Sequence, residues 1–141
     1  MTTESPRYDA ACHCGAVRFR VRLRDAFNTI RRCTCSYCRM RGAVAVSARL
    51  ADIEFIRGED MLTLYQFNTG TAKHYFCRVC GVYTHHQRRS DPQEFGVNVA
   101  CLDGVSPFDF PEVPVMDGRS HPSDTKAGPR VAGILRFDAA D

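Results

Sequence analysis

The sequence predicts a mostly β fold of small antiparallel sheets pinned together by metal, with little helix. Three observations predict it. Apolar and charged residues alternate along Val17-Arg18-Phe19-Arg20-Val21-Arg22-Leu23-Arg24, the period of a half-buried strand with an arginine face turned to water. No 11-residue window carries a convincing helical period; only residues 36–41 read as one short helical turn. Seven of the eight cysteines fall into three tight groups, which suit metal pins better than a continuous apolar core.

The remaining elements follow in chain order. Residues 1–9 read as a loose tail. Residues 43–48, 53–56 and 62–67 are strand candidates, rich in β-branched and aromatic side chains. Asn68-Thr69-Gly70 reads as a turn. Residues 73–77 lead into a cysteine knuckle and 81–87 lead out of it. Residues 95–102 form another strand, with Phe95, Val97 and Val99 on one face. Five of the seven prolines lie in 106–130, so that stretch reads as loop, and 131–137 reads as a returning last strand. The expected organisation is a tail (1–9), one zinc-binding domain (10–105), and a Pro-rich loop with a final strand packed on the same domain (106–141).

At 141 residues the chain is one domain's worth, with 44% hydrophobic and 25% charged residues. The longest uncharged run is 12 residues, 61–72, against about 20 apolar residues for a membrane helix, so no membrane partner is expected. The first residues, MTTESPRYDA, lack the basic-then-apolar order of an export signal, which points to the cytoplasm.

In such a reducing compartment, clustered cysteines serve more often as metal ligands or catalytic thiols than as disulfides. Cys12/Cys14 and Cys77/Cys80 are two short pairs, each followed directly by glycine (Gly15 and Gly81), and together they complete a four-thiolate zinc site. The alternative is buried or disulfide-bonded cysteines. Cys33, Cys35 and Cys38 offer three thiols. Catalytic zinc sites hold three protein ligands and keep one position open, so this group reads as an open site. Closure by Cys101 or a histidine, three free thiols, or a metal without chemistry are the other readings.

The net charge is +3 with thiols neutral. Seven thiolates around two Zn²⁺ would bring it to zero, which argues against a nucleic-acid partner. Arg31, Arg32, Arg39 and Arg41 flank the three-thiol group. They would favour thiolates and offer paired hydrogen bonds to the carboxylates of a thiol ligand; the plain alternative is a solvated basic surface.

The stretches Cys12-His13-Cys14-Gly15-Ala16-Val17-Arg18-Phe19, Cys33-Thr34-Cys35-Ser36-Tyr37-Cys38-Arg39 with Gly42, and Phe76-Cys77-Arg78-Val79-Cys80-Gly81 resemble the family of glutathione-dependent formaldehyde-activating enzymes, which includes centromere protein V. Val97-Asn98-Val99-Ala100-Cys101-Leu102-Asp103 looks like that family's late strand. Thr34 stands where relatives often carry histidine. The resemblance covers about residues 8–105. It implies a β-tent-like fold with two zinc ions: a structural one on Cys12, Cys14, Cys77 and Cys80, a catalytic one on Cys33, Cys35 and Cys38. It also implies a carbon–sulfur lyase acting on S-hydroxymethylglutathione or a related thiol adduct, with glutathione as a co-substrate.

Such a reaction also needs a proton moved at the hydroxymethyl oxygen. His74 and His85 are the chosen candidates, with Tyr37 and His86 beside them; His85 and His86 are adjacent, so on a strand only one faces a given pocket. His13, between two ligands, is expected to point away or cap a sulfur, and His121 lies in the Pro-rich loop. Ser36 is a candidate donor to a thiolate. A rival reading is thiol redox chemistry at Cys101 or the cysteine triple, although no Arg or His neighbours Cys101 to lower its pKa. Another is a non-catalytic zinc module. Edge pairing of strands would allow a homodimer.

Overall fold

The computed structural model describes residues 6–119 and 128–141. Its elements are mostly strands, arranged in three small sheets. The first holds β1 (Arg7–Ala11), β2 (Arg18–Arg22) and, further along, β5 (Ile53–Arg57) in the order β1-β2-β5. Alternation sets its faces: Phe19 and Val21 are buried while Arg18 and Arg20 are exposed. β1 takes in Arg7, Tyr8 and Asp9, so the expected tail ends sooner. Ala10 is buried, Tyr8 packs on Phe27, and Asp9 pairs with Arg20 at 2.9 Å.

The two-residue β3 (Arg32–Cys33) precedes α1 (Ser36–Arg41), the one predicted helical turn. β4 (Ala45–Arg49), β6 (Leu62–Tyr65), β7 (Lys73–Cys77), β8 (Tyr83–Gln87) and β9 (Glu94–Asn98) form a five-stranded antiparallel sheet in the order β4-β9-β8-β7-β6. The strand expected over 95–102 stops at Asn98. That residue's side chain accepts from the Ala100 amide at 3.1 Å and turns the chain into a 3₁₀ turn, Val99–Cys101.

The Pro-rich stretch is not loop throughout. It contains β10 (Glu112–Met116), which pairs with β11 (Val131–Arg136) on one side and in parallel with β3 on the other. Pro114 is tolerated there because the β3 pairing involves only Val115 and Met116. The core lies between the first and second sheets, where Val17, Phe19, Val21 and Leu23 meet Val46, Val97 and Val99. No helix among the described residues is long and apolar enough to cross a membrane.

Candidate active site

The four-thiol group joins the two large sheets. Cys12 and Cys14 sit on the turn after β1; Cys77 ends β7 and Cys80 lies on the turn to β8. Both turns need a left-handed residue, supplied by Gly15 (φ 78°) and Gly81 (φ 77°), whose amides donate to the carbonyls of Cys12 and Cys77. Sγ atoms of Cys12 and Cys14, and of Cys14 and Cys77, are each 3.7 Å apart. A tetrahedron with metal–sulfur bonds of about 2.3 Å has edges of about 3.8 Å, so the sulfurs already stand at ligand spacing. Amides of Val17 and Val79 donate to Cys12 Sγ and Cys77 Sγ, as they would to thiolates. His13 is exposed, and all eight cysteines are free, which removes the disulfide reading.

The three-thiol group is built on the β3–α1 junction. Cys33 ends β3, Cys35 caps α1, and Cys38 sits in its first turn; Gly42, left-handed at φ 71°, ends the helix on the Cys38 carbonyl. The three sulfurs lie within 4.8 Å of one another, and among the described residues no fourth Cys, His, Asp or Glu joins them. The Cys33 and Cys38 thiols, together with the amides of Cys38 and Tyr37, hold the Cys35 thiol well below its ordinary range. Donors to these sulfurs are the amides of Cys35 and Cys38 and the Nη2 of Arg41, at 3.4, 3.2 and 3.5 Å, rather than Ser36. Cys101 does not close the group. It is buried, donates to the Tyr83 carbonyl, and burial pushes its thiol up to about 12, which also counts against it as a redox nucleophile.

The three cysteines line a cavity of about 790 Å³. Arg31, Arg32, Arg39 and Arg41 all line it, as does His74. Arg41 is the hub: its Nη1 donates to His74 Nδ1 at 3.0 Å, its Nη2 to Cys38 Sγ, and its guanidinium lies 3.7 Å over the Tyr83 ring. Because arginine only donates, His74 Nδ1 accepts, and the imidazole proton sits on Nε2. Burial, with the nearby Arg41 charge, lowers the His74 pKa to about 4, so the ring is neutral at pH 7.

His85 is not at this cavity, which corrects the expectation for it. The β7–β8 register places His86 opposite His74 and His85 opposite Tyr75, so the two histidines of β8 face opposite ways. His86 lines the cavity, stacked on His74 with ring centroids 5.1 Å apart and bonded to the Tyr83 hydroxyl at 2.6 Å. His85 lies among Phe19, Phe55, Tyr75 and Phe95 and bonds Thr84 Oγ1. Tyr37 packs on Tyr65, Phe67 and His74, and does not line the cavity. His121 lies outside the described residues.

Burial lowers the His85 pKa to about 4, against about 6.5 when unfolded. The folded state therefore binds fewer protons. His85 contributes stability above pH 6.5 that is lost as pH falls toward 4, with a slope of up to about 1.4 kcal/mol per pH unit. Urea titrations at pH 7, 6, 5 and 4.5 should show this decline, and His85→Gln should make it shallower, with buried His74 and His86 keeping their own share; an equal decline in the variant would refute the assignment.

Sequence reasoning also missed five more arginines on the cavity: Arg24, Arg88, Arg89, Arg119 and Arg130. Arg88 was within reach, because it is two residues from His86 and so shares its strand face. Arg119 and Arg130 come from the stretch read as loop. Gly118 was missed as well. A Cβ there would overlap Cys33 Sγ and lie 2.8 Å from Cys35 Cβ and N.

The sequence model of the family described as glutathione-dependent formaldehyde-activating enzyme matches residues 7–113. A crystal structure of a Rhodobacter sphaeroides protein, a Northeast Structural Genomics target, is 61% identical with a TM-score of 0.75. The match covers 76% of this chain and 98% of that one. With both cysteine groups and the β frame in place over the matched stretch, the chain belongs to the glutathione-dependent formaldehyde-activating enzyme family.

Proposed function

We propose that this protein is a zinc-dependent carbon–sulfur lyase, cleaving a hemithioacetal R–S–CH2–OH to a thiol and formaldehyde and running the reverse addition. The observation that carries this reading is the contrast between the two cysteine groups: four sulfurs in one, three beside a cavity in the other. Both sets are soft thiolate donors at mutual distances that suit zinc. Cys12, Cys14, Cys77 and Cys80 would hold a structural ion; Cys33, Cys35 and Cys38 would hold a catalytic one. When bound, the catalytic ion supplies Lewis acidity toward sulfur.

The rest is work for the chain's own groups. In cleavage the C–S bond breaks with its electron pair going to sulfur, while the hydroxyl proton passes to solvent water as the C=O bond forms. In addition the sulfur joins the carbonyl carbon and the oxygen takes up a proton from solvent water. His74 is the group we assign to that oxygen. It is neutral, its Nδ1 is occupied by Arg41, and its Nε2–H is the donor left to stabilise developing negative charge. Arg41 positions it. The reducing chemistry of seven ligand thiols fits a cytoplasmic setting.

Cys35→Ser tests the reading. It should lower zinc from two per chain to one and abolish release of formaldehyde from thiol adducts, while the fold survives. His74→Gln should keep both ions and lower kcat about 10²-fold. Turnover by Cys35→Ser lacking the second ion would overturn the proposal.

A further inference from the structure

Among the described residues, nine arginines and one acidic side chain, Asp117, line the cavity. Three of the nine are already answered. Arg24 and Arg88 both bind Glu94, at 3.0 and 2.6 Å, and Arg130 binds Asp117 at 3.0 Å. Arg41 is engaged with His74 and Cys38. Arg31 is different. Its Nη1 donates only to neutral oxygens, the Thr29 carbonyl and Ser47 Oγ, at 2.9 Å each. Among the described residues no carboxylate forms an ion pair with Arg31, Arg32 or Arg39. A guanidinium withdrawn from water without an anion in hydrogen-bond reach is destabilised. Clustered cations along a concave wall also raise the local potential for anions. The guanidinium fork matches carboxylate and phosphate oxygens in pairs.

Among the described residues the same inventory leaves no carboxylate for a cation. Asp117 already accepts from Arg130 and from the Arg119 amide, and Glu94 is clamped by two arginines. Glutathione carries two carboxylates and an ammonium, and among the described residues the cavity has no uncommitted carboxylate for the ammonium.

Resting on the thiol-adduct reading above, we infer that the thiol this cavity takes is multiply anionic and lacks an ammonium group, with carboxylate or phosphate groups seated on Arg31, Arg32 and Arg39. A cavity of about 790 Å³ is roomy enough for a thiol of such size.

Calorimetric titration of the zinc-loaded full chain with four probes tests this: glutathione, N-acetylglutathione, mercaptosuccinate and 4′-phosphopantetheine. N-acetylation removes only the ammonium, so N-acetylglutathione should bind at least fivefold tighter than glutathione. Mercaptosuccinate or 4′-phosphopantetheine should exceed glutathione at least tenfold, and which of the two leads tells carboxylate from phosphate. Arg31→Gln should erase most of that advantage. Arg39→Gln, at the exposed rim, should reduce it two- to fivefold and guards against misfolding of the Arg31 variant. Glutathione binding as well as every ammonium-free probe would overturn the inference and leave the lyase reading standing. Failure of all four thiols to bind, with no formaldehyde released from any adduct, would overturn both.

Discussion

Replacing Cys77 by serine should leave a chain that does not fold. Cys77 is fully buried, and its sulfur meets that of Cys14 across 63 residues of sequence. The four sulfurs tie the β1–β2 turn of one sheet to the β7–β8 turn of the next. Structural zinc in small sites contributes about 10–16 kcal/mol of apparent binding free energy, whereas whole domains are stable by only about 5–15 kcal/mol. Losing one of four ligands forfeits much of that, and the serine hydroxyl is a poor substitute for a soft thiolate. Circular dichroism and zinc content should report an unfolded chain. Cys35→Ser, by contrast, removes a ligand from a group that ties no two large sheets together, and should keep the wild-type spectrum. A cooperative transition of Cys77→Ser with an unshifted midpoint would show that the four-sulfur site does not hold the fold together.

Gly118→Ala should empty the three-sulfur site without unfolding the protein. Gly118 follows β10, and its amide donates to Thr34 Oγ1 at 3.0 Å, while the Thr34 amide donates to the Met116 carbonyl at 3.1 Å. These bonds lace the segment onto the cysteine loop, so the backbone cannot retreat from an added methyl. The Cβ would overlap Cys33 Sγ and press on Cys35. One sulfur must then leave ligand position, and formaldehyde release should fall at least 100-fold, a displacement cost of the size seen for small errors in reactive geometry. Metal content should drop to one per chain. Gly133→Ala in β11 is the control: nothing lies within 4 Å of its Cβ, so it should be neutral. Two ions and normal turnover in Gly118→Ala would show that the cysteine loop yields.

Much of this was legible in the sequence because the ligand groups are local. A pair of cysteines two or three residues apart fits on one turn, and a glycine directly after it completes that turn, so Cys12/Cys14 and Cys77/Cys80 declare themselves. β2 declares itself through its alternating arginines. What was not legible depends on register between distant strands. His74 and His86 share a face only because β7 and β8 pair as they do. Proline counting hid β10, whose Pro114 is tolerated beside a parallel pairing just two residues long. Arg119 and Arg130 reach the cavity through that same hairpin.

The seven clustered cysteines all lie within residues 7–113, the stretch that matches the family. The wall pressed against Cys33 begins at Val115 and Met116 and continues through Gly118, outside it. The β10–β11 hairpin thus lies largely outside the family match yet braces the cysteine loop that lies within it. A change in that hairpin can reach the three sulfurs without altering any cysteine.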